Sequence, residues 1–327
     1  MTITQAVTSG GTASLYGDST GISRFFRVSH WMKGVLAPAA TLEGSQPQAH
    51  GLLAQTVRIS AARGLSLFAW FVLAHVSGPR PAVVLLHGRC GNASNLLPAA
   101  QVLHRAGFAV LLMESRNHGR SDRDDHSSLP RFAEDLDIAI DWLKTLPRVD
   151  SARIVALGHL VGAAAVLLSA SRRDDLAAVV SIAVFAHLEQ LMRRWFALRY
   201  VPYRPLAWLI NRSLERVIGA IFNDIAPVNT VAKATCPVLL VHGRQDTVAP
   251  VTDAHRIWKR GSQPNVTLIE RDVTHEGFDD GDGITGDILK FVESALRERS
   301  ASVPPAFTGP GSPRRTIQQL SAESAIQ

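Results

Sequence analysis

Short apolar runs alternate along this chain with longer stretches of helical spacing. Val57 and Ile59 alternate with polar neighbours, Arg63-Gly64 supplies a turn, and residues 65–73 form a second run; this is the pattern of a β-hairpin. Residues 82–86 and 109–113 are continuously apolar, as strands buried on both faces are. Residues 93–105 between them read as a helix ended by Gly107. Over residues 129–146, Phe132, Leu136, Ile140 and Leu143 recur at helical spacing until Pro147 stops the pattern. Further strands are predicted at residues 154–157, 178–185, 237–241 and 266–269, and further helices at 163–170, 252–259 and 284–297. Strands that alternate with helices imply crossover connections. The expected fold class is therefore α/β, with a mostly parallel central sheet and helices on both of its faces.

Three stretches depart from this rhythm. Residues 1–50 read as a loosely structured arm, with Gly10-Gly11 and a Pro, Gln and Ser run at 45–48. Within it, Arg24-Phe25-Phe26-Arg27, Trp31, Lys33 and Leu36 suit either an arm packed on its own domain or a basic amphipathic helix lying on a membrane surface. The interval 187–235 is helical, aromatic and basic, with Trp195, Phe196, Tyr200, Tyr203 and Trp208 among Arg193, Arg194, Arg199, Arg204 and Arg212. It is expected to be a helical cap inserted over the C-terminal edge of the sheet. Residues 301–327 contain Pro304-Pro305 with Gly and Ser and are expected to be disordered. The main domain then spans residues 51–300.

Composition narrows the function classes. The 327 residues are 46% hydrophobic and 19% charged, enough apolar material for one large α/β core. The net charge of +6 is spread along the chain, and no recognition motif or aromatic–basic repeat accompanies it, so nucleic-acid binding is not expected. Cys90 and Cys236 form no C-x-x-C pair; a disulfide framework or cysteine metal site is not expected, and a reducing, cytoplasmic compartment is. The first twenty residues lack the charged start and apolar stretch of a secretory signal. Residues 154–170 are mostly apolar, but Gly158, His159 and Gly162 interrupt them and they fall short of a membrane span.

The chemistry concentrates in five ordered motifs. Gly158-His159-Leu160-Val161-Gly162 joins the strand at 154–157 to the small-residue helix at 163–170. That is the strand–turn–helix setting of G-x-S-x-G, which exposes a nucleophilic serine at the top of a sheet. Here the middle position is leucine, which neither attacks a carbonyl nor responds to a base. His87-Gly88-Arg89-Cys90-Gly91 follows the third strand. Glu114-Ser115-Arg116-Asn117-His118-Gly119-Arg120-Ser121 follows the fourth. Pro237-Val238-Leu239-Leu240-Val241-His242-Gly243-Arg244-Gln245-Asp246 is a strand ending in an acid, and Thr274-His275-Glu276-Gly277-Phe278 follows the last strand.

In this order the motifs resemble the α/β-hydrolase family, in particular its bacterial capped esterase, lipase and serine aminopeptidase-like members. The resemblance covers roughly residues 55–297. It departs from the family's D-x-R-G-H-G-x-S turn at Glu114 and Asn117, and from the elbow at Leu160. It implies a triad in the order nucleophile, acid, histidine: position 160, Asp246, His275. The histidine would take the nucleophile's proton, and the carboxylate would hold the histidine's tautomer. It implies an oxyanion hole from the backbone N–H of Val161 and of Arg89 or Cys90, and a small-molecule, acyl-type ligand with no cofactor or metal. His87, His118 and His242 are expected to hold loops, and His159 to point away from the site. Arg89 suits either an acidic substrate or a surface salt bridge.

Three functional readings follow. The first is a pseudo-hydrolase: a serine-hydrolase scaffold that keeps fold and pocket and lacks serine-type turnover. The alternative is an enzyme that uses the Asp246/His275 dyad, with water or Cys90, for non-serine hydrolysis or lyase-type chemistry. Ser169 does not substitute, since nine residues along a helix put it about 13 Å from position 160. The second alternative is a membrane-surface or interaction protein acting through the basic aromatic cap.

Overall fold

A computed structural model describes residues 44–197, 200, 205, 207–261, 264–275 and 283–302. Eight strands form one sheet in the order β1-β2-β4-β3-β5-β6-β7-β8. β1 (Ala54–Ser60) and β2 (Ser66–Val72) are the expected hairpin, with Ala54 opposite Val72. Arg63 and Gly64 turn the chain with φ of 61° and 74°. β2 also pairs antiparallel with β4 (Ala109–Met113). From β4 onward, β3 (Arg80–Leu86), β5 (Val149–His159), β6 (Ala178–Ile182), β7 (Val238–Gly243) and β8 (Val266–Arg271) run parallel.

The continuous apolar strands are explained by two cores. In β3, Ala82, Val84 and Leu86 face one hydrophobic cluster, while Val83 and Leu85 face the other. The first cluster is covered by α2 (Leu129–Lys144), through Phe132, Leu136 and Ile140, and by α3 (Val161–Ala170). The second is covered by α1 (Leu97–Arg105) and α7 (Ile284–Ser302), through Leu97, Leu103, Ile288 and Val292. Pairing both faces of a strand with apolar side chains erases the period-two signal and leaves an unbroken run. Residues 162–170 of α3 are buried all round, which suits a helix inside the sheet's covering layer rather than on its surface.

Three boundaries differ from the sequence reading. The helix at 93–105 opens as a 3-10 turn, Ala93–Leu96, and becomes α-helical only from Leu97, because Pro98 at the second helical position offers no N–H and fixes the entry. β5 starts at Val149 rather than 154. Residues between Arg80↔Val149 and Ala82↔Ile154 bulge out of register, and their polar side chains hid the strand's beginning. β6 ends at Ile182, although residues 183–186 are apolar. Ala183 has φ of 54°, and Val184 to Ala186 are buried as coil, so burial and not pairing explains their character.

Between β6 and β7 the described residues form α4 (Leu188–Ala197), α5 (Trp208–Ile218) and a helical turn, Pro227–Thr230. After β7 comes α6 (Val251–Arg260). The expected arm lies outside the described residues as far as residue 43, as do Arg199, Tyr203 and Arg204 of the expected cap and the tail from residue 303. No helix among the described residues is long and apolar enough to cross a membrane.

Candidate active site

The elbow sits between the end of β5 and the start of α3. Leu160 has φ 51° and ψ −104°, outside the allowed regions for a branched side chain. The turn is clamped from both sides: Leu160 N–H donates to Ile182 O at 3.0 Å, and Leu160 O accepts from Ala164 N at 3.1 Å. Its glycines are required by close approach. A Cβ on Gly158 would lie 2.2 Å from Gly162 O, and one on Gly162 would lie 2.4 Å from Leu86 O. The two glycines thus meet the steric conditions of a tight strand–turn–helix elbow, with Leu160 at its tip.

β7 delivers the acid. Asp246 is buried, and its Oδ1 accepts from the backbone N–H of Val248 and Ala249, each at 2.8 Å. Its Oδ2 lies 2.7 Å from Nδ1 of His275. Burial pushes the Asp246 carboxyl up, but the His275 hydrogen bond and the two backbone donors outweigh it, so the acid is held below the usual carboxylate range. An ionised carboxylate accepts only, so Nδ1 of His275 carries the proton and Nε2 keeps the lone pair. That is the tautomer a general base needs.

Two strand-end turns bring these residues together. Arg244 N donates to Arg271 O at 2.8 Å and Gln245 N to Val273 O at 3.1 Å, lacing the loop after β7 to the loop after β8. Gly243 permits the contact, since a Cβ there would lie 2.4 Å from Val273 O. His242 buttresses the acid's loop through Nε2, which is 2.6 Å from Ala249 O.

The loops after β3 and β4 are locked by neutral histidines. His87 Nδ1 donates to Gly88 O at 2.7 Å, and Nε2 accepts from Ser115 N at 3.2 Å. Burial, then the neighbouring His118, pushes its pKa down to about 3. His118 Nδ1 donates to Arg116 O at 3.0 Å; burial, with Arg89 and Arg123 nearby, lowers it to about 4. Arg116 is fixed by the Asp135 carboxylate, with Nε at 2.8 Å from Oδ1 and its own backbone N–H at 2.8 Å from Oδ2. The two departures in this turn are accommodated. Glu114 accepts from Arg120 N and Ala93 N, and Asn117 takes the left-handed φ of 66° that asparagine tolerates better than most residues.

The expected oxyanion donors flank position 160. Val161 opens α3, so its N–H has no intrahelical acceptor. The β3 loop runs alongside, with a Cβ built on Gly88 only 3.4 Å from the Leu160 Cβ. Cys90 is exposed with φ of 64°, and neither it nor Cys236 is in a disulfide. Ser169 is buried and donates to Asp137, a structural role in the layer beneath the elbow.

One expectation is corrected. His159 does not point away: its ring lies 5.1 Å from that of His275, and its Nε2 is 3.3 Å from His275 O. The side chain at the end of β5 thus reaches across to support the histidine loop. Strand alternation alone does not reveal this, because β5 ends at His159 and the turn redirects it. Among the described residues, no group of three or more His, Cys, Asp or Glu is placed to hold a metal ion.

Comparison with known proteins agrees with this geometry. Residues 77–230 match the family model of the serine aminopeptidases, S33, a stretch that includes the elbow and stops before Asp246 and His275. An uncharacterized protein of Mycobacterium tuberculosis is 27% identical over 234 residues, 71% of this chain and 76% of that protein. The α/β hydrolase domain-containing protein WAV2 of Arabidopsis thaliana is 22% identical over 232 residues, 68% of this chain and 72% of that protein. The solved esterase Pf2001 of Pyrococcus furiosus superposes with a TM-score of 0.67 at 20% identity, covering 80% of this chain and 97% of that one, which shows a shared fold. An elbow at the end of the fifth strand, with an aspartate and a histidine after the seventh and eighth, sits on the sheet that this chain shares with that solved esterase, and the chain has the α/β-hydrolase fold.

Proposed function

We propose that this chain is a serine-hydrolase scaffold without serine-type turnover, a pseudo-hydrolase that binds small acyl-type ligands. The observation that carries this reading is the pairing of a strained strand–turn–helix elbow with leucine at its tip. Acyl transfer needs an oxygen or sulfur nucleophile at that tip, and Leu160 supplies none. Stability has no evident need for the strained turn. A φ/ψ pair of this kind costs on the order of 1–3 kcal/mol, and such strain persists where the surrounding structure enforces it, chiefly at functional sites.

The Asp246–His275 pair at 2.7 Å favours a second reading, in which His275 activates water directly without a covalent intermediate. One pair of measurements separates the two. The full chain is exposed to a fluorophosphonate, which captures activated serines, and followed by intact mass. No adduct is expected, and a stoichiometric adduct on the wild-type chain would overturn the proposal. Turnover of short p-nitrophenyl esters by the wild-type chain, abolished in His275→Ala, would move the assignment to the second reading.

A further inference from the structure

At the sheet edge opposite Asp246 and His275, basic side chains converge from separate elements. Arg80 opens β3, His104 and Arg105 close α1, Arg153 lies near the start of β5, and His75 follows β2 on a loop. They line two adjoining hollows of about 400 and 250 Å3 that share His75 and Arg105, and none of the residues lining either hollow is acidic. The walls are braced. Arg148 donates to the carbonyls of Ala74 and Val76, both at 3.3 Å, and so pins the loop that bears His75. Gln101 donates to His50 O at 2.7 Å and ties the far wall to the 3-10 turn Pro47–His50.

Ordinary structural roles account for part of this cluster. The C-terminal dipole of α1 favours His104 and Arg105 in its last turn. Arg153 is neutralised by Asp150, with Nε 2.6 Å from Oδ2. Neither explains why the His75 ring is held 5.4 Å from the His104 ring, where it disfavours charge on His104. Burial and then His75 accordingly lower the His104 pKa. Nor do they explain Arg80, whose Nε is buried without a hydrogen-bond partner among the described residues. A buried donor left unsatisfied is costly, and an anion in the hollow that Arg80 lines would offer its guanidinium an acceptor.

We propose that this hollow binds a phosphate group, carried either by a soluble metabolite or by a lipid headgroup. Phosphate suits it better than a carboxylate. A lone carboxylate is matched by one guanidinium fork, whereas a dianion with several acceptor oxygens engages donors from separate walls together. The site is independent of the elbow and of the reading given to it.

Titration calorimetry of the full chain with pyrophosphate at low salt tests the soluble arm. Co-sedimentation with phosphatidylcholine vesicles, with and without phosphatidic acid, tests the lipid arm. Binding in either arm is expected to weaken at least about tenfold in the double variant Arg105→Ser with His75→Asn, the loss of about one charge-assisted hydrogen bond. Both positions are exposed, so the double variant is expected to keep the wild-type melting temperature without ligand. His275→Ala should bind as wild type does. Response to pyrophosphate alone assigns a soluble ligand, and response to phosphatidic acid assigns a headgroup. No binding in either arm, or binding that the double variant leaves unchanged, overturns the proposal.

Discussion

Replacing Leu160 with serine measures how much hydrolase machinery remains assembled around it. The backbone already holds the elbow's strained angles, and His275 is oriented by Asp246 at 2.7 Å with its Nε2 lone pair available. In a serine hydrolase, loss of the nucleophile costs about 10⁶ in turnover, which is about 8 kcal/mol of transition-state stabilisation. Suppose that imperfect alignment of the oxyanion donors forfeits half of that free energy. Leu160→Ser is then still expected to raise ester hydrolysis about 10³-fold over the wild-type chain. The substitution also removes a partly buried side chain packed against the first core, at a cost of about 1–2 kcal/mol, which leaves the variant folded. The assay is steady-state and burst-phase hydrolysis of p-nitrophenyl acetate and butyrate, with melting temperature as the control for folding. The double variant Leu160→Ser with His275→Ala should return to the wild-type rate. A folded Leu160→Ser chain with neither a burst nor a rate gain would refute the inference that only the nucleophile is missing.

Other expectations follow from the same geometry. Gly158→Ala places a methyl group 2.2 Å from Gly162 O, so a loss of at least about 2 kcal/mol is expected in urea unfolding; near-wild-type stability would show that the elbow can relax. Asp135→Ala leaves the buried Arg116 guanidinium with only Glu134 at 3.3 Å and Asp124 at 3.5 Å, and should cost about 3 kcal/mol by the same measurement. His87 and His118 give the stability a pH dependence. Their folded pKa values, about 3 and about 4, lie below the unfolded 6.5, so the unfolded chain binds protons that the native rings refuse. Stability is then fully present above pH 6.5 and falls as pH drops towards 4.5, by on the order of 1.4 kcal/mol per pH unit for each ring. Denaturation midpoints that stay flat across that window would refute the neutral assignment, and His87→Gln should flatten part of the slope.

Much of this protein was legible in its sequence, for identifiable reasons. Apolar runs at 82–86 and 109–113 mark strands because a sheet covered on both faces needs apolar side chains in both directions. The glycines at 158 and 162 mark an elbow because a Cβ at either position would collide with backbone. The Asp246 and His275 motifs follow strands because parallel strands place their C-terminal loops on one edge. Local pattern misread the end of β6, where coil residues are as buried as a strand, and the start of β5, where a bulge interrupts pairing.

The sequence by itself determined the fold class, the order of the candidate site residues and the absence of a nucleophile at position 160, since each of these is written in local spacing and residue type. Only the tertiary structure decided that Asp246 and His275, 29 positions apart, meet at 2.7 Å, that His159 turns towards them, and that His75, Arg80 and Arg105 share a hollow at the far edge. Those relations depend on strand order, on which loops are laced together and on where burial leaves a charge unmatched. No local pattern in a chain encodes the distance between residues that crossovers bring together.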